Sequence, residues 1–171
     1  MPWYGSHPYL NEYIREKNCK NIMEIGVYNG ENALNMVAAA VQNFPSHEVE
    51  YYGFDLFSNY SFTEIARKLT QTGCKFRLYK GNTVETLTEA VKNLPEMDLI
   101  FIDGGKSFSE ATCDWENSKL LMHDGTAVFV HNADFSGVRR MIDNISREKY
   151  EVTFFHAPSE GSVVQIMKKT I

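Results

Sequence analysis

The chain is poor in features that would direct it to a membrane, to a secretory pathway or to nucleic acid. Three cysteines in 171 residues, Cys19, Cys74 and Cys113, are too few and too far apart for a disulfide framework or a zinc ribbon. Isolated thiols in odd number fit a reducing compartment. No apolar run approaches the ~18 residues of a membrane span, and no signal-peptide pattern opens the sequence, so the expected location is cytoplasmic with no membrane partner. Excess positive charge is absent too. Seventeen Lys and Arg against 22 Asp and Glu leave a net charge of −5, without the basic footprint of a nucleic-acid binder. Repeats, linkers and low-complexity segments are lacking, which excludes solenoids and tethered modules. What is left is ordinary globular composition, 43% apolar and 23% charged. A chain of this length is expected to form one domain and to bury roughly two-thirds of its unfolded surface. We read residues 1–20 as a lead-in helix and 21–171 as the core.

Periodicity gives alternation throughout. Helices are expected over residues 7–18, 30–43, 61–72, 83–94, 109–122 and 138–148. Strands are expected over 21–25, 49–55, 75–80, 97–103, 126–130, 150–156 and 162–168. Five strand-then-helix units predict a mainly parallel sheet with helices on both faces. The most apolar strand, Met97 to Asp103, belongs at its centre. The last two strands are joined by Pro158-Ser159-Glu160-Gly161, and so short a turn joins antiparallel neighbours, placing a hairpin at one edge of the sheet.

Asn21-Ile22-Met23-Glu24-Ile25-Gly26-Val27-Tyr28-Asn29-Gly30 is the most informative stretch: a buried strand that stops at a glycine turn and enters a helix. In an open α/β sheet such a turn, at the carboxyl end of the first strand, is where a nucleotide-like cofactor sits. Its spacing is Glu24-x-Gly26-x-x-x-Gly30, two glycines rather than the three of G-x-G-x-x-G. The other polar residues fall at strand ends as well: Asp55, Gly81-Asn82-Thr83, Asp103 to Lys106, and His131-Asn132. Asn82 reads equally as a helix N-cap. Trp115 has the spacing of a packing residue. Trp3, Tyr4 and Tyr9 read as either a lid or a packing arm.

These motifs resemble the class I S-adenosylmethionine-dependent methyltransferases over essentially the whole chain. The resemblance implies a Rossmann-like, doubly wound, seven-stranded sheet, mainly parallel with an antiparallel last strand. It implies S-adenosylmethionine as cofactor. The implied binding set is Glu24, Gly26, Tyr28 and Gly30 in the first loop, Asp55 and Leu56 after the second strand, Asn82 and Thr83 after the third, and Asp103 after the fourth. Asp55 stands where the superfamily binds the ribose, with a carboxylate that can accept two hydroxyl hydrogen bonds. The segment from Asp98 to Phe108 is similar to the small-molecule O-methyltransferase branch, including its catechol O-methyltransferase-like members. By that likeness Asp103, Lys106 and His131 orient and deprotonate a hydroxyl acceptor. The chain departs from the branch with Lys106 in a position often His, and with Asn132 in one often Asp.

The same likeness suggests a divalent metal held by Asp103, His131 and Asn132. With an imidazole in the set the site is poor for Mg²⁺ and better for a softer ion, and a site without metal is the alternative. The implied partner is a small-molecule acceptor. Since the lead-in before the first strand is short, either that acceptor is small or a second subunit, as in a homodimer, completes the pocket. Two rival classes remain: a catalytically degenerate protein that binds S-adenosylmethionine or S-adenosylhomocysteine, and an NAD-dependent oxidoreductase. The missing middle glycine and the antiparallel ending argue against the latter.

Overall fold

The computed structural model describes residues 7–158 and 160–170; the aromatic residues Trp3 and Tyr4 lie outside them. In chain order the elements are α1 Pro8–Lys17, β1 Asn21–Ile25, α2 Glu31–Ala40, β2 Glu50–Asp55, α3 Phe62–Thr70, β3 Lys75–Lys80 and α4 Thr83–Ala90. They continue with β4 Met97–Ile102, α5 Phe108–Ser118, β5 Met122–Val130, α6 Ser136–Asp143, β6 Tyr150–Ala157 and β7 Gly161–Lys168. Their order in the sheet is β3-β2-β1-β4-β5-β7-β6, which puts the apolar β4 in the middle. β1 to β5 are parallel, and β7 runs antiparallel between β5 and β6. The hairpin therefore folds back on itself, so that β6 forms the edge and the antiparallel strand lies one place inside it.

Strand alternation divides the apolar residues between two faces. Ile22, Tyr51, Leu99, Phe101 and Phe129 meet Leu10 and Ile14 of α1, Met36 and Val37 of α2, and Ile65 and Leu69 of α3. Met23, Ile25, Phe54, Ile100 and Ile102 meet Leu87 of α4, Trp115 of α5, and Met141 and Ile142 of α6. Each fully buried Ile or Leu contributes roughly 1.5–3 kcal/mol relative to exposure. Trp115 is one of these packing residues, edge-on to Tyr150 at 5.1 Å.

Several element ends differ from the periodic reading. The helix expected over 109–122 ends at Ser118, a 3-10 turn covers Lys119–Leu121, and β5 begins at Met122 rather than 126. Asp124-Gly125 lies within β5 because the strand is irregular there. The His123 amide donates to Thr126 Oγ1 at 2.9 Å and the Gly125 amide to His123 Nδ1 at 3.0 Å, while the register against β4 shifts between Met97 and Leu99. The last helix is Ser136–Asp143 rather than 138–148.

The sheet order places the switch point between β1 and β4, where connections turn to opposite faces. In such sheets ligands bind outside the carboxyl ends of the strands at that point. Gly26 and Asp103 follow β1 and β4 directly, tied by the Asp103 amide donating to the Ile25 carbonyl at 2.8 Å.

Candidate functional site: the carboxyl rim of the sheet

Gly26 has a φ of +92°, and a Cβ there would lie 2.2 Å from the Asp103 carbonyl oxygen. The glycine is needed for the β1 turn to press against the β4 turn, so the collision it avoids is with the protein's own backbone. Gly30, at φ +80°, is the left-handed N-cap of α2.

Glu24 is sealed below this turn, 1% exposed. Its Oε1 accepts from Asn32 Nδ2 at 2.7 Å, and its Oε2 from the Tyr51 hydroxyl. Burial pushes its carboxyl up to about 8, with Asp103 and Asp55 adding repulsion and the two hydrogen bonds opposing. Its contacts are those of an internal brace beneath the loop.

Asp55 joins two loops. Oδ2 accepts from the Tyr28 amide at 2.9 Å and Oδ1 from the Phe57 amide at 2.7 Å. Tyr28 and Phe57 are both left-handed, at φ 52°. Four non-glycine residues have positive φ among the described residues; three, Tyr28, Phe57 and Asn132, are on this rim, and the fourth, Asn18, caps α1. Left-handed backbone at non-glycine residues is costly and tends to gather where ligands are held. Each Asp55 oxygen keeps a lone pair for a further donor. Asn82 caps α4, its Oδ1 accepting from the Val84 amide at 2.9 Å.

A cavity of about 310 Å³ opens here, walled in part by Gly26, Asp55, Leu56, Asn82, Thr83 and Asp103. The rim thus brings six of the sequence-derived residues onto one surface. Glu24, Tyr28 and Gly30 support that surface from outside its wall, with the Tyr28 ring edge-on to Tyr60 at 4.7 Å.

Beyond β4 and β5 the charges face one another. Asp103 Oδ1 accepts from Lys106 Nζ at 2.7 Å and from Asn132 Nδ2 at 2.8 Å. His131 Nδ1 lies 3.2 Å from the same oxygen, within ion-pair reach but not aligned for a hydrogen bond. Burial alone would raise the Asp103 carboxyl, but the His131 ring and the Lys106 ammonium outweigh it and hold it below its usual value. Asp103, Lys106, His131 and Asn132 do meet, therefore, around a single carboxylate oxygen. This geometry does not fit Mg²⁺ on Asp103, His131 and Asn132. An ammonium already pairs with that oxygen, the asparagine presents its amide nitrogen, and the third donor is an imidazole rather than a hard oxygen.

Three neighbours of the rim escaped the motif reading. Asp114 on α5 is fully buried, with neither carboxylate oxygen in an aligned hydrogen bond among the described residues. Burial pushes its carboxyl up to about 6 against the pull of the Thr83 hydroxyl. His7, at the N-cap of α1, pairs through Nδ1 with Glu160 Oε2 at 2.6 Å across 153 residues of sequence. No periodicity or local spacing links residues so distant.

The arrangement as a whole, a β3-β2-β1-β4-β5-β7-β6 sheet with a glycine turn at its switch point, is the class I methyltransferase fold. The chain belongs to the methyltransferase-domain family, whose sequence pattern matches residues 23–133. Solved structures agree on the fold. The O-methyltransferase TomG from Streptomyces achromogenes, involved in tomaymycin synthesis and solved with S-adenosylmethionine, superposes with a TM-score of 0.78 at 17% identity, over 95% of this chain and 78% of its own. An O-methyltransferase from Bacillus cereus in complex with S-adenosylhomocysteine superposes with a TM-score of 0.78 at 17% identity, over 98% and 84%. No curated protein sequence matches the chain. No helix among the described residues is long and apolar enough to cross a membrane.

Proposed function

We propose that the protein transfers a methyl group from S-adenosylmethionine to a hydroxyl oxygen of a small molecule. The observation that carries this reading is the meeting, at the switch point, of a cavity walled by Gly26, Asp55 and Asn82 with a carboxylate, Asp103, that also receives Lys106, Asn132 and His131. A volume of about 310 Å³ suits a small-molecule site. The family match and the cofactors bound by the structural neighbours support the same donor.

Bound S-adenosylmethionine supplies a methyl group on a positively charged sulfur, already reactive toward a lone pair. Asp55 would hold the ribose hydroxyls, and the Gly26 turn would admit the cofactor at the switch point. The protein's remaining work is alignment and exclusion of water. Asp103 fixes the positions of Lys106 and Asn132 through its Oδ1. The Lys106 ammonium then stands where an acceptor oxygen gathers negative charge as its proton leaves. His131, half-buried beside it with both ring nitrogens free of hydrogen bonds among the described residues, is the group positioned to take that proton.

Calorimetric titration with S-adenosylhomocysteine and S-adenosylmethionine, with NAD as control, tests the donor. Micromolar adenosyl binding without NAD binding is expected, and its absence would overturn the reading. A hydroxyl-acceptor screen that detects donor consumption then tests transfer. Failure of every acceptor in a protein that binds the donor would favour the degenerate binder.

A further inference from the structure

We propose that His7, His131 and Glu160 form a binding site for a divalent transition ion, one that takes two imidazoles and a carboxylate. Among the described residues this trio offers ligand atoms that all lie within 4.8 Å of one another. Glu160 Oε2 is 2.6 Å from His7 Nδ1 and 3.8 Å from His131 Nε2. An ion with bonds of ~2.0–2.1 Å sets tetrahedral ligand atoms roughly 3.3 Å apart, so one contact opens slightly and the other closes. The His7 and Glu160 side chains are each only 9% exposed and that of His131 14%. Neither nitrogen of His131 has a hydrogen-bond partner among the described residues, so its lone pair is uncommitted.

The surroundings favour a metal over a simple His–Glu clasp. His131 Nδ1 faces Asp103 Oδ1 at 3.2 Å while Nε2 faces Glu160. A small turn of the ring would bring Nδ1 into line with Asp103 and complete the carboxylate–histidine–metal order, in which an outer carboxylate fixes the tautomer and leaves the inner nitrogen to the ion. The Tyr9 hydroxyl is kept protonated by burial and by the Glu160 and Asp103 carboxylates. It lies 3.4 Å from His7 Nδ1, a neutral donor at the edge of the trio. Two imidazoles with one carboxylate suit Zn²⁺, Co²⁺ or Fe²⁺ better than Mg²⁺. Imidazole and carboxylate bind a metal only when deprotonated, so ion uptake competes with protons and weakens in acid. The site shares His131 with the Asp103 cluster but uses neither Asn132 nor Asp103 as a ligand, so His131 can take an acceptor's proton only while the ion is absent. It also draws together the start of α1, the end of β5 and the β6–β7 turn.

The inference is independent of the methyl donor and is tested without one. The full chain, stripped with EDTA, is titrated with Zn²⁺ by calorimetry and with Co²⁺ by visible absorption. One equivalent of each is expected, with ligand-field bands of low-symmetry Co²⁺ and buffer-dependent proton release. Loss of an outer-shell partner typically lowers metal affinity ~10–100-fold. His7→Ala and Glu160→Gln, which remove ligands, are therefore expected to lower it about 100-fold or more, and Asp103→Asn about 10-fold or more. His47→Ala, at an exposed histidine, should bind as the parent does. Circular dichroism and the urea unfolding midpoint report whether each variant is folded. Absence of stoichiometric Zn²⁺ and Co²⁺ binding by the unaltered chain would overturn the proposal whatever the variants do. So would unchanged binding in folded His7→Ala and Glu160→Gln.

Discussion

Asp98 and Asp103 stand at opposite ends of β4, and their surroundings differ in kind. At the amino end, Asp98 Oδ2 accepts from the backbone amides of Lys20 and Asn21 at 2.8 and 2.9 Å, and Oδ1 meets His123 Nε2 at 2.8 Å. Thr126 Oγ1 donates to the Met97 carbonyl and Lys168 Nζ to the Met122 carbonyl. Polar side chains there close off backbone groups, and the result is a stitched hem. At the carboxyl end, Asp103 gathers side chains instead; around it lie three left-handed residues, and the Asp114 carboxylate and His131 ring have no aligned hydrogen bond among the described residues. The same strands thus carry a relaxed end and an end where strain and unmet hydrogen bonds accumulate, as expected of a binding rim.

That contrast breaks most sharply at Lys106. Lys106→Met leaves the backbone fixed but removes the cation beside Asp103. Turnover is expected to fall ~10²–10⁴-fold, the range lost with a positioned acid–base or charge-stabilising group. S-adenosylhomocysteine affinity, measured by calorimetry, should change only a few-fold. A parallel loss of both would move Lys106 to the donor side.

Asp55→Ala tests the other half of the rim. It frees the Tyr28 and Phe57 amides and removes the proposed ribose acceptor, so cofactor affinity should drop at least ~100-fold, using ~1.5–3 kcal/mol for each of two hydrogen bonds to a charged group. Turnover at saturating cofactor should fall much less. Unchanged affinity would remove Asp55 from the ribose role.

Asp98→Ala is the reciprocal test. Unfolding free energy measured in urea should fall by about 2 kcal/mol, because two strand-end amides lose a charged acceptor. The folded protein should keep its cofactor affinity and turnover. Should either change several-fold, the two ends would not be separate in function.

How far the sequence discloses each region follows from the range of its interactions. Strand and helix periods expose the layer order, and the apolar Met97–Ile102 run announces the central strand, because burial on both faces leaves no alternation to hide. The Glu24, Gly26, Gly30 and Asp55 pattern is local, so this half of the rim was legible. It was legible in position more than in cause, since Gly26 answers to the Asp103 carbonyl and Glu24 to Tyr51 and Asn32. The early start of β5 was hidden because His123 and Gly125 interrupt its apolar run. The pairing of residue 7 with residues 131 and 160 depends on a hairpin folding back beside β5 and on α1 lying over it, and no spacing rule reaches across that distance.

Glu24 adds a pH signature. Its carboxyl titrates near ~4.3 in an unfolded chain and near about 8 when buried. Between those values the folded protein holds a proton that the unfolded chain has lost. Stability from this group therefore falls as pH rises, with a limiting slope of about 1.4 kcal/mol per pH unit, and is flat below and above that window. Glu24→Gln keeps an uncharged acceptor for Tyr51 and removes the titration. The gap between variant and parent in urea midpoint should widen from pH 5 to pH 8, and a constant gap would contradict the shift.

The finest distinction concerns Asn82, whose Oδ1 already caps α4 while its side chain also walls the cavity. Asn82→Ala removes both and should cost about 1 kcal/mol of stability through the lost cap. Asn82→Ser restores a capping oxygen, since Ser and Asn cap about equally well, but cannot return an amide to the cavity. Were the cap the whole role, the serine variant would recover both stability and S-adenosylhomocysteine affinity. Recovery of stability with affinity still several-fold low is the expected result, because the cap uses only the Asn82 oxygen and leaves its amide nitrogen for the proposed cofactor.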